Sequence, residues 1–84
     1  MQKTHKYFVY VLKSLVDKER YVGLSKNVPQ RLREHNSRKV MSTKSRAPFE
    51  NIHKEAYKTL AEARAREKYL KSAAGRRWLD KKGS

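Results

Sequence analysis

The feature that most limits the fold is an uninterrupted apolar run, Tyr7-Phe8-Val9-Tyr10-Val11-Leu12, the longest in the chain. It is rich in β-branched and aromatic residues, which favour an extended backbone. It has no polar alternation, so it reads as a strand buried on both faces. It is also far short of the roughly 18 residues that a membrane span needs. The cover for this strand must come from little material. The chain has 84 residues, 37% of them apolar, enough for a single domain over 1–84 with a small core. With no cysteine, a disulfide framework, a thiolate zinc site and a Cys nucleophile are excluded, and a reducing compartment fits.

The rest of the sequence falls into elements around that run. Residues 13–19 are mostly polar and read as a loop. Arg20-Tyr21-Val22-Gly23-Leu24 reads as a second strand that pairs back as a hairpin. Asn27 is a good N-cap, and Pro29 suits a first helical turn, so a helix is expected from Val28 to about Asn36. Residues 37–48 form an irregular basic segment. Phe49 to Tyr57 alternates weakly and reads as a third strand. Thr59 and Glu62 make a T-x-x-E capping box for a helix from Leu60 to about Ala74. Gly75 is expected to end that helix, and Arg76-Arg77-Trp78-Leu79 to add a last short turn. The order is β-β-α-β-α-α, an α+β arrangement.

The charge balance points to a partner. Lys and Arg number 22 against 8 Asp and Glu, a net charge of +14. So large an excess on one small body favours a polyanion, with nucleic acid first. No long basic amphipathic helix with large apolar residues suggests a membrane surface. Met1 to Lys6 leads into strand-like aromatics and not into a signal-peptide core, so the expected location is cytoplasmic.

One acid is out of place. With Leu60 at 0° on a helical wheel, Ala63, Leu70 and Ala74 fall at about 300°, 280° and 320°. Glu67 falls at about 340°, inside this apolar stripe. A carboxylate there is costly unless it is paired or binds a metal. Either it meets Arg31, Arg64 or Lys71 and holds helices together, or it is a metal-ligating or catalytic group; the pattern leaves both open. On the first helix, Arg31 and His35 flank the apolar face as i,i+4 neighbours. They are either a surface Arg with a rim His, or a phosphate clamp with a hydrogen-bonding His. In the hairpin, Phe8, Tyr10 and Leu12 share one face, as do Tyr21 and Gly23. Taken by itself, core packing with the hydroxyl at the edge explains both tyrosines better than chemistry does. Gly23 in a strand marks either a bulge or the close approach of a backbone or ligand.

Taken together, these positions resemble the GIY-YIG nuclease domain. Phe8-Val9-Tyr10 stands where the first strand motif stands, with Phe in place of its Gly. Tyr21-Val22-Gly23 stands at the second. Arg31 lies eight residues past that Gly, on the first helix, and His35 four residues further. Ala63-Arg64-Ala65-Arg66-Glu67-Lys68-Tyr69-Leu70-Lys71 resembles the family's metal-binding segment and puts Glu67 at its carboxylate. Ser42 to Phe49 and Gly75 to Leu79 resemble the small single-domain bacterial branch. The similarity runs from about Lys6 to Lys81.

The resemblance implies a three-stranded antiparallel sheet flanked by helices and a divalent-metal-dependent cut of a phosphodiester, with Mg²⁺ or Mn²⁺ on Glu67. It implies that Arg31 binds the scissile phosphate and that Tyr10 or Tyr21 orients or deprotonates the attacking water. Because free tyrosine has a pKa near 10, such a base needs positive charge nearby; Arg31 and Lys26 are the candidates. His35 would hydrogen-bond or relay for that tyrosine. Arg38, Lys39, Lys44, Arg46, Lys71, Arg76 and Arg77 are expected to track the nucleic-acid backbone, DNA ahead of RNA. The chain departs from the family where Leu24 follows the second motif, a position at which the excision-repair branch carries Lys. Ala73-Ala74 also replaces a bulkier stretch. With no target-choosing domain, binding is expected to be weak, salt-dependent and of low sequence preference, with specificity left to a partner protein. The alternative is a non-catalytic nucleic-acid-binding module that kept the nuclease fold.

Overall fold

The computed structural model describes residues 7–82. The reading of Met1 to Lys6 therefore lies outside the described residues. Three strands, β1 (Tyr7–Ser14), β2 (Arg20–Ser25) and β3 (Phe49–Tyr57), form one antiparallel sheet in the order β2-β1-β3. Helices α1 (Val28–Asn36), α2 (Leu60–Lys71) and α3 (Ala73–Lys81) complete the α+β order β-β-α-β-α-α.

The apolar run takes the central position, where both faces are covered, and Val9, Tyr10, Val11 and Leu12 are all buried. Alternate residues of β1 point into two different layers. Val9 and Val11 join Val22 of β2 against Ala63 and Leu70 of α2 and Leu79 of α3. Tyr10 and Leu12 pack with Val28 of α1, Ala47 and Phe49. The first layer is roofed by α2 and α3, and the second by α1 and the segment that follows it.

Local chemistry sets the helix starts. The Asn27 side chain accepts the Gln30 N–H at 3.1 Å, and Thr59 Oγ1 accepts the Glu62 N–H at 3.2 Å, which satisfies N–H groups that have no helical partner. Arg38, at φ 64°, takes the left-handed turn that ends α1. The C-terminal helices differ from expectation. α2 stops at Lys71 instead of running to Ala74, because Ser72 breaks it and caps α3, its Oγ accepting the Gly75 N–H at 3.2 Å. Gly75 thus lies inside α3 and ends nothing. It is required because a Cβ there would stand 2.5 Å from Leu70 Cα in the last turn of α2.

Candidate active site

The site is built from the second layer outward. Tyr10 sits at mid-strand, directly opposite Gly23 in the β1–β2 register. Its ring lies across the glycine, so closely that a Cβ at position 23 would stand 2.5 Å from the Tyr10 Cζ. The close approach inferred from the sequence is therefore that of a side chain, not of a backbone or ligand. The sheet's bulge is elsewhere, in β3, where Leu12 pairs with Asn51 and Val11 with His53. Tyr21 packs beside Tyr10 with ring centroids 6.4 Å apart.

α1 closes over these rings. His35 is fully buried, not at the rim of the helix, because the chain after α1 folds back over it. Its ring lies 4.9 Å from that of Tyr21 and 5.8 Å from that of Phe49. Its Nε2 is 3.3 Å from the Tyr10 hydroxyl, and its Nδ1 is 2.8 Å from Thr43 Oγ1. Burial and the nearby Arg31 charge lower the His35 pKa, partly offset by Glu34, so the imidazole is neutral at pH 7. One turn earlier, the half-exposed Arg31 gives Nη1 to Glu34 Oε1 at 2.9 Å. The same guanidinium faces the Tyr10 hydroxyl. Burial raises the Tyr10 pKa, and Arg31 opposes that rise.

Glu67 arrives from the other layer. Ala63 and Leu70, one turn to either side of it, are fully buried and fix α2 on the sheet. The Glu67 side chain is 22% exposed, and Lys71 Nζ, on a side chain 56% exposed, reaches its Oε2 at 3.1 Å. This i,i+4 pair is the one ion pair of Glu67 among the described residues. An exposed pair of this kind contributes about 1 kcal/mol or less, so Glu67 is not a brace between helices. Its charge acts on the Tyr10 phenol. The two layers meet at the short edge strand β2. There a cavity of about 460 Å³ is lined by Tyr21 from one side and by Leu70, Leu79, Lys71 and Arg76 from the other, and of the five candidate catalytic residues Tyr21 alone lines it.

The backbone-tracking candidates divide. Lys71 and Arg76 line that cavity, and Lys26 lines a second hollow of about 230 Å³ with Arg31 and Glu34. Lys26 also lies over the Tyr7 ring, at 5.4 Å. Arg38, Lys39, Lys44 and Arg77 are exposed but line neither cavity. Arg46 is engaged with Asp17 at 3.2 Å and lies over Phe49. Among the described residues no three His, Asp or Glu side chains cluster to hold a metal ion. A divalent ion would have Glu67 as its one protein ligand. That fits a hard ion such as Mg²⁺, which keeps several waters and takes substrate phosphate oxygens.

The profile of the GIY-YIG catalytic domain matches residues 6–81. The chain belongs to the GIY-YIG family. A UPF0213 protein of Staphylococcus epidermidis is 40% identical over 68 residues, covering 80% of this chain and 82% of the relative. A UPF0213 protein of Syntrophus aciditrophicus is 40% identical over 68 residues, 79% of this chain and 77% of its own. No solved structure matches. Within this GIY-YIG domain, no helix among the described residues is long and apolar enough to cross a membrane.

Sequence reasoning missed three supports. Glu34 orients Arg31; its i,i+3 spacing was the available signal. Asn36 pins the start of β3, with Nδ2 donating to the Phe49 carbonyl at 3.1 Å and Oδ1 accepting the Phe49 N–H at 2.6 Å. Thr43 is wholly buried against His35, in a stretch that looked merely basic and irregular.

Proposed function

We propose that this chain is a metal-dependent endonuclease that hydrolyses phosphodiesters in nucleic acid, DNA ahead of RNA, with low sequence preference on its own. The observation that carries this reading is the Tyr10 hydroxyl. It is hydrogen-bonded to a buried neutral His35, faced by Arg31, and within the field of Glu67. Glu67 would hold Mg²⁺ or Mn²⁺, which when bound offsets charge on the phosphate and on the leaving oxygen. Arg31, steadied by Glu34, binds the scissile phosphate and stabilises its growing negative charge. Tyr10 keeps its proton at neutral pH, so it cannot act as a resting phenolate. It takes a proton from the attacking water as its own moves to His35 Nε2. Tyr21, on the cavity side, orients that water. Lys26, Lys71 and Arg76 hold the flanking backbone. Arg38, Lys39, Lys44, Arg46 and Arg77 add field without direct contact at the cut. The cell compartment fitting this reading is the cytoplasm, with a partner protein choosing the target.

The Lys71 ammonium on Glu67 favours a second reading, a binding module whose carboxylate is permanently neutralised. Labelled nicked, flapped, single-stranded and duplex DNA, incubated with and without Mg²⁺ or Mn²⁺, decides between them. The nuclease reading expects metal-dependent cutting that Glu67→Ala and Arg31→Ala abolish. Tight binding without any cutting is the outcome for the binding module. Cutting that survives Glu67→Ala removes that residue's role.

A further inference from the structure

We propose that Thr43 is a positioning residue for the Tyr10–His35 pair: its hydroxyl fixes the imidazole as the Nδ1–H tautomer and leaves Nε2 to accept the Tyr10 proton. This rests on the nuclease reading for its purpose, but not for its geometry.

The assignment follows from satisfying every buried polar atom at once. A neutral imidazole has one donor nitrogen and one acceptor nitrogen. Nδ1 is 2.8 Å from Thr43 Oγ1, and Nε2 is 3.3 Å from the Tyr10 hydroxyl. Thr43 and His35 are fully buried and Tyr10 is 1% exposed, so before substrate binds these atoms take their partners from within the protein. Among the described residues the Tyr10 hydroxyl has one hydrogen-bond partner, His35 Nε2. As a buried O–H it must donate its proton there. His35 Nε2 is the acceptor in reach, which requires Nε2 to be bare and Nδ1 to carry the hydrogen. Thr43 Oγ1 then accepts from Nδ1–H, and its own hydrogen points toward the Val40 carbonyl, 3.5 Å away.

The opposite tautomer fails on the same count. If Thr43 donated to Nδ1, Nε2–H would donate to Tyr10 beside Arg31. The Tyr10 hydrogen would be left with no buried acceptor, and a buried donor without a partner is costly.

The chemical consequence concerns where a proton goes. In the relay the Tyr10 O–H bond breaks, an Nε2–H bond forms, and His35 becomes a cation. Arg31 on α1 opposes that charge and Glu34 on α1 favours it. Tyr10 of β1 and Tyr21 of β2 face the ring from the sheet, β3 presents the uncharged Phe49, and Thr43 caps the far nitrogen. With Nδ1–H already spent on Thr43, the new proton can reside only on Nε2, aimed back at the phenol. Thr43 thus makes the relay reversible along a single path. It also explains a buried hydroxyl in a segment that is otherwise basic and exposed.

Long-range ¹H–¹⁵N spectra of the full-length protein at pH 7.5 and above read the tautomer directly, with His5→Gln and His53→Gln to assign the remaining imidazole. The wild type is expected to show Nε2 unprotonated and Nδ1 protonated at His35. The reverse pattern overturns the proposal without any variant and without any cleavage assay. Thr43→Val should move His35 toward the Nε2–H form, and Thr43→Ser should restore the wild-type spectrum. An unchanged tautomer in folded Thr43→Val also overturns it. If the nuclease reading holds, Thr43→Val should lower cleavage about a hundredfold and displace the acid limb of the pH–rate profile. Thr43→Ser should recover both to within a few-fold. Spectra that behave as stated while no substrate is cut would leave the tautomer assignment standing and sink the nuclease reading alone.

Discussion

Glu55 of β3 and Glu67 of α2 lie close to the same sheet, yet their surroundings differ. Glu55 accepts Arg66 Nε at 2.9 Å and Arg66 Nη2 at 3.1 Å, the Tyr57 hydroxyl at 2.6 Å, and contacts His53 Nε2 at 2.7 Å. Arg66 in turn lies over Trp78, at 4.8 Å, and over Tyr69. Burial alone would raise the Glu55 pKa, but the hydrogen bonds from Arg66, Tyr57 and His53 outweigh it and hold it at about 2. Burial and the bond to Glu55 push the Tyr57 phenol up to about 12. Glu67 has a single exposed ammonium on one oxygen. A saturated carboxylate ties β3, α2 and α3 together and has nothing left to offer. A carboxylate with coordination to spare can take a metal ion.

The most severe test of that contrast is Glu67→Ala. Cleavage should fall by about a thousandfold or more, while the melting temperature stays within a few degrees, since the lost pair is exposed. A large loss of stability with cleavage retained would make Glu67 a brace after all. Glu55→Gln should do the reverse. A folded pKa near 2 against an unfolded value near 4.5 corresponds to roughly 3 kcal/mol at neutral pH, a drop of more than about 10 °C for a domain this size. Because the folded value is the lower one, this contribution is complete above about pH 4.5 and is lost as pH falls toward 2. Denaturant titrations across that window should slope steeply for the wild type and flatten for Glu55→Gln. Equal slopes would break the comparison.

Gly23→Ala probes the site from below. The added Cβ meets the Tyr10 ring, so the ring must shift, at a cost of about 1–3 kcal/mol. Cleavage should fall about tenfold or more through misplacement of the hydroxyl. Wild-type kinetics in this variant would show that the Tyr10 position does not matter. The smallest effect belongs to Lys71→Gln. Removing an exposed ammonium should leave stability within about 1 kcal/mol and tighten Mn²⁺ binding to Glu67 a few-fold by calorimetry. Unchanged or weaker Mn²⁺ binding would argue that the ion sits elsewhere.

Much of this architecture was legible in the sequence. The unalternating Tyr7–Leu12 run demanded cover on both faces, Asn27 and Thr59 marked helix starts through short-range hydrogen bonds to the Gln30 and Glu62 N–H groups, and Pro29 marked one through its fixed φ. Tyr10, Tyr21, Arg31, His35 and Glu67 could be named from family motifs. The burial of His35 could not, because it depends on how residues 37–48 fold back over α1. Neither could the Glu55–Arg66 brace, whose partners are joined by sheet register and not by spacing. The break at Ser72 was hidden because Gly75 offered the more familiar stop, whereas a serine hydroxyl set up the next helix.

Arg66 and Glu67 are consecutive, so their side chains leave α2 about 100° apart. One is clamped to β3 and α3, and the other carries the carboxylate that the proposed function assigns to the metal. The clamp therefore indexes the helix about its own axis. A carboxylate roughly 6 Å from that axis moves about 1 Å for every 10° of rotation. A displacement of that size can cost about a hundredfold in rate. The ion pair on the back of the molecule is in this sense a sighting adjustment for the carboxylate at the front.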